Sequence, residues 1–135
     1  MESIALQLPL YTAASTACLM LIQVALMFSV IKSRGDLNIF IGHGDNAMLE
    51  RKIRAHGNFV EYAPLGLVLI AVAELQGAPA FAVHLLGTAL FLGRALHAYG
   101  ITRPKDLHPA RGLGMLLTFA ALGLTSLALL AHRLF

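Results

Sequence analysis

Residues 4–31 contain no charged side chain. The run is 28 residues long, and a helix needs about 20 apolar residues to cross a hydrocarbon core. This run limits the fold more than any other feature, because only helices and closed barrels satisfy their backbone inside lipid. Glu2 is the only charged side chain ahead of it. With no basic segment in front, and a length beyond that of a signal-peptide apolar region, it reads as a retained helix. Residues 112–131 form a second clean run.

The two middle runs carry charge. Residues 62–73 are uncharged but too few to span alone, so this crossing must extend back through Glu61 towards Arg54. Residues 77–93 contain His84, and that crossing continues past Arg94. Ionisable groups inside a membrane are expensive and are functional candidates by default. Only 13 % of the residues are charged, against about 25 % in soluble domains. The expected fold is therefore an all-α membrane protein. It is a four-transmembrane-helix up-down bundle, one domain over residues 1–135, with helices at about 4–31, 51–75, 78–100 and 110–132. Nine of the ten basic residues fall on the side of the first and third loops, with only Arg133 opposite. By the positive-inside rule that side is cytoplasmic and both termini are outside. This topology explains the basic pI without nucleic acid, which is not expected as a partner. Residues 76–79, Gln-Gly-Ala-Pro, are a turn signal that makes helices two and three antiparallel neighbours.

The second helix carries a stripe. From Arg51 to Leu75 it would be about 37 Å long, with Glu61 about 15 Å deeper than Arg51. Arg51, Arg54, Asn58, Glu61 and Tyr62 fall within a sector of about 100°. Such a stripe must face protein or a water-filled cleft. Arginine suits carboxylates, a carboxylate suits an ammonium, and asparagine both donates and accepts. One reading is a site for a small zwitterion with extra carboxylates. The other is that Glu61 pairs with Arg94 and merely joins two helices. His56 lies about 170° from the stripe, which suggests a second protein contact and an oligomer. Pro64 removes a hydrogen bond to Val60 and should bend the helix beyond Glu61. No histidine pair or neighbouring cysteine has metal-ligand spacing, so no metal is expected. Cys18, deep in the first helix, should be inert. Gln23 is a candidate interhelical hydrogen bond, and Gly112, Gly114 and Gly123 are candidates for close helix contact.

The stretch Arg54-Ala55-His56-Gly57-Asn58-Phe59-Val60-Glu61-Tyr62-Ala63-Pro64 resembles the signature of the MAPEG family, the membrane-associated proteins in eicosanoid and glutathione metabolism. The likeness extends to residues 93–100, Gly-Arg-Ala-Leu-His-Ala-Tyr-Gly, and looks closest to the short bacterial branch. It implies a homotrimer in the bacterial inner membrane, with glutathione bound between subunits at the cytoplasmic side. It implies Arg34, Arg54, Asn58, Glu61 and Tyr62 as glutathione contacts, His56 reaching in from the neighbour, and Arg94 and His97 near the site. Arg111 is the candidate for steadying the thiolate. The implied activity is glutathione transfer to a hydrophobic electrophile, or reduction of a lipid hydroperoxide, with the substrate arriving through the membrane lipids. A non-catalytic lipid-binding or scaffold protein of the same fold is the alternative; a small transporter using Glu61, Arg94 and His97 is a third. Gly35, His97 and Ile101 depart from leukotriene C4 synthase, which has an arginine and two tyrosines there.

Overall fold

The computed structural model describes residues 8–104 and 108–134. The expected helix start at residues 4–7, Lys105 and the Arg133 side chain lie outside the described residues. Four helices follow in order: α1 (Leu10–Leu37), α2 (Ala47–Leu75), α3 (Ala80–Ile101) and α4 (Pro109–Leu134). All four are long and apolar enough to cross a membrane.

Their boundaries have local causes. α1 starts after Pro9 and runs six residues beyond the expected end at residue 31. The end of an uncharged run marks a change of solvent, not of backbone structure. Lys32, Arg34 and Asp36 carry the helix on, until Asn38 adopts the left-handed conformation (φ 55°) and returns its N–H to Arg34 and Gly35. α2 begins four residues before Arg51, because the Asn46 side chain caps it by accepting from the Leu49 N–H at 2.9 Å. α2 continues through Pro64 without a break. The α2–α3 turn passes through Gly77 at φ 88°, and Pro79 precedes the first turn of α3. α4 opens on Pro109, where a missing N–H matters least.

The ends of the helices are in register as an up-down bundle. The start of α1 meets the end of α2, where Glu74 bonds to Thr12. The start of α2 meets the end of α3, where Arg51 donates to the Ile101 carbonyl. α3 and α4 pack most extensively, and α1 packs only on α2 and α3 among the described residues. The core is formed by Leu19, Phe59, Ala63, Ile70, Val83, Leu90 and Ala121. Large apolar side chains such as Leu21, Leu65, Phe81 and Leu127 are exposed on the outside. Lipid tails are as apolar as a leucine core, so hydropathy does not separate the inner face from the outer one. Cys18 is on the outer face, exposed, not enclosed by protein.

Small residues set the α3–α4 spacing. A Cβ on Gly93 would lie 2.7 Å from Thr118 Oγ1 and 3.0 Å from the Gly114 carbonyl oxygen. A Cβ on Gly114 would strike the His97 backbone nitrogen, and one on Gly100 would strike Arg111. Of the three glycines expected to allow close contact, only Gly114 does so; Gly112 and Gly123 face open space.

Candidate functional site

A cleft of about 760 Å³ opens where the start of α2, the end of α3 and the start of α4 converge. Four members of the α2 stripe, Arg51, Arg54, Asn58 and Glu61, form one wall. His97 and Arg111 come from α3 and α4. The helical spacing of the stripe puts its members on one wall, and close α3–α4 packing brings His97 and Arg111 opposite them.

Arg94 lies behind two lining residues of this cleft, Asn58 and Met115, and its partners differ from the expected one. Among the described residues no ion pair joins it to Glu61. The side chain is 1 % exposed, so every donor needs a protein acceptor. Nη1 donates to Asn58 Oδ1 at 2.6 Å and Nε donates to Thr118 Oγ1 at 3.0 Å. Nη2 reaches Met115 Sδ at 3.6 Å, and the guanidinium lies 5.3 Å from the Tyr62 ring centroid. Arg94 thus ties α2, α3 and α4 together through neutral groups. Its reach is the reason: from α3 it meets Asn58, one turn nearer the start of α2 than Glu61. Glu61 is left exposed on the cleft wall.

This contact fixes what Asn58 presents. Arginine has no acceptor, so the amide oxygen must face it. The amide NH2 remains as the donor that Asn58 can offer to a bound group. His97 is fixed in the same way. Its Nδ1 lies 3.2 Å from the Arg111 backbone carbonyl, which can only accept, so Nδ1 carries the proton in the neutral ring.

The other expected residues lie elsewhere in the chain. Tyr62 turns from the cleft towards Arg94 and Phe119, with ring centroids 6.3 Å apart in the latter pair. Arg34 Nη1 donates to the carbonyls of Ile39 and Gly42, at 3.1 and 2.9 Å, and so fastens the first loop. His56 sits on the α1 side, where Gln23 Nε2 donates to its Nε2 at 2.9 Å. The expectation of an interhelical bond from Gln23 is met by that contact. His56 does face protein, as its helical position requires, and the protein it faces here is α1 of the same chain. Among the described residues no group of His, Cys, Asp or Glu could hold a metal ion.

Two residues carry structural weight that sequence reasoning passed over. Thr118, inside an uncharged run, accepts from Arg94 and donates to the Gly114 carbonyl at 2.8 Å. Glu74, at the far end of α2, accepts from the backbone N–H groups of Tyr11 and Thr12 at 2.9 and 2.8 Å, and from Thr12 Oγ1 at 2.6 Å. It therefore caps α1 from another helix. The available signal was an α1 start at Pro9-Leu10-Tyr11 with no side chain able to cap it, beside a lone carboxylate near the α2–α3 turn.

The fold and the cleft define a four-helix membrane protein with a cationic pocket at one end, and sequence comparison agrees with that class. The chain belongs to the MAPEG family, whose model matches residues 12–131 and so spans all four helices. It is 39 % identical over 101 residues to inner membrane protein YecN of Escherichia coli strain K12, a match covering 75 % of this chain and 76 % of the relative. YecN of Escherichia coli O6:H1 strain CFT073 matches to the same extent. No solved structure matches this chain.

Proposed function

We propose that the cleft binds glutathione and that the protein is a glutathione transferase or peroxidase acting on hydrophobic electrophiles or lipid hydroperoxides. The observation that carries this reading is the donor set of the cleft. Arg51, Arg54 and Arg111 gather around Glu61 and the Asn58 amide. A tripeptide with two carboxylates and one ammonium needs cationic forks for the former and a carboxylate for the latter. The cleft volume lies in the range of small-molecule sites, about 300–1,000 Å³. Many apolar side chains face outward around it, which suits a co-substrate delivered by the bilayer.

In this reading the cleft opens to the cytoplasm, since the basic loops lie at that end. The protein resides in the inner membrane with both termini outside, and it assembles as a homotrimer. Arg34 and His56, which lie away from the cleft in their own chain, then approach glutathione across subunit boundaries. The Arg111 cation favours the thiolate, the reactive form of a thiol whose ordinary pKa is about 8.5.

Titration calorimetry of the detergent-purified protein with glutathione tests binding. Saturable heat that is lost in both Arg54→Ala and Glu61→Ala is the expected result. No heat in the wild-type protein overturns the proposal. A conjugation assay with a model electrophile then separates catalysis from binding alone.

A further inference from the structure

We infer that His97 Nε2 is the group that takes the proton from the thiol bound in the cleft. This deepens the glutathione reading and rests on it. His97 is 4 % exposed, forms part of the cleft wall, and its Nε2 has no hydrogen-bond partner in the chain. A buried polar atom without a partner is unfavourable, and the Arg111 carbonyl, by holding the proton on Nδ1, leaves Nε2 as a bare lone pair. The atom is therefore a buried acceptor without a donor, in a residue of a wall otherwise rich in donors. Asn58 offers its NH2, and the arginines offer only N–H groups.

The other acceptors in the wall suit a different task. Glu50 and Glu61 are exposed carboxylates. An imidazole's ordinary pKa lies about 2 units below a thiol's, and a carboxylate's about 4 units below. Proton transfer is most efficient between groups of similar pKa, so the thiol proton goes to His97 while Glu61 is left for the ammonium.

The step balances without a further reagent. The S–H bond breaks as the Nε2–H bond forms, and the bonding pair stays on sulfur. With an α,β-unsaturated carbonyl as co-substrate, that pair forms the C–S bond at the β carbon. The double-bond pair moves onto oxygen as an enolate. The imidazolium returns its proton to the α carbon, and His97 ends neutral with Nδ1 still on the Arg111 carbonyl.

Nitrogen-15 NMR of histidine-labelled, full-length protein in micelles reads the ring directly. Expected is a neutral His97 protonated on Nδ1, which gains a proton on Nε2 when glutathione is added, together with ultraviolet absorbance of the bound thiolate. His97→Asn can keep a side-chain N–H for the Arg111 carbonyl while removing Nε2. It should still bind glutathione in calorimetry and lose about 100-fold in the rate of conjugate addition. An Nε2-protonated ring before glutathione is added, an Nε2 unchanged by it, or an undiminished rate in His97→Asn would overturn the inference and leave glutathione binding standing. Absence of binding in the wild-type protein overturns both. Should His97→Asn fail to fold, the wild-type resonances decide alone.

Discussion

Arg94 and Glu74 are buried charges at opposite ends of the bundle, and each holds helices together without an ion pair among the described residues. Removing a partner from a buried hydrogen bond costs more than the bond itself contributes, because the other member is left dry and unmatched. Arg94→Ala should therefore lower stability by about 3 kcal/mol. Thr118→Val, which keeps the shape but leaves Arg94 Nε without its acceptor, should cost about 2 kcal/mol. Both are read as a lower midpoint of unfolding in detergent, with circular dichroism following the loss of helix. At the other end, Glu74→Ala strips α1 of its cap and should cost about 1–2 kcal/mol. Glu74→Gln keeps an acceptor oxygen and should cost less. Equal effects of the two Glu74 variants would mean that the charge, not the capping geometry, matters.

The glycines of the α3–α4 contact give the sharpest test at the scale of an element. Gly114→Ala drives a methyl group into the His97 backbone, which α3 can accommodate only by moving away. Overpacking of this kind costs about 1–3 kcal/mol, and the shift should also disturb His97 and Arg111 in the cleft. Gly112→Ala and Gly123→Ala, on the same helix but facing open space, should leave stability unchanged or raise it slightly, since alanine is the better helix former. Thermal unfolding of the three variants in one detergent checks the contrast. A Gly114→Ala protein as stable as Gly123→Ala would mean that α3 and α4 are farther apart than described. The sequence alone suggested all three glycines equally, because a glycine's role depends on what lies opposite it. That facing partner belongs to a different helix.

For the whole molecule, the charge distribution and the exposed apolar faces make their own predictions. Seven basic residues, Lys32, Arg34, Arg51, Lys52, Arg54, Arg103 and Arg111, cluster at the end of the bundle that holds the cleft. A C-terminal alkaline phosphatase fusion should therefore be active, and a fusion to the first loop inactive. The reverse pattern would place the cleft on the outside. Cross-linking in membranes, followed by electrophoresis, should give a trimer band and no larger ladder. A monomer alone would leave Arg34 and His56 with no route to the cleft. Some of this architecture was already legible as hydropathy: two clean runs, two charged runs, a turn at residues 76–79, and a stripe of polar residues on one face of α2.

The sequence by itself determined the four helices, because a chain with too few charges for water must satisfy its backbone inside lipid, and helices do so locally. It also determined that Arg51, Arg54, Asn58 and Glu61 share a wall, since one helical repeat governs them all. It offered Glu61 as a partner for Arg94. The tertiary structure chose Asn58, and with that choice Glu61 was left on the cleft wall. It alone placed His97 against the Arg111 carbonyl and Glu74 on the start of α1. Those pairings join residues on different helices, and their depth and rotation depend on how side chains pack between helices. Away from the α2 stripe both faces of each helix are apolar, so hydropathy does not record that rotation.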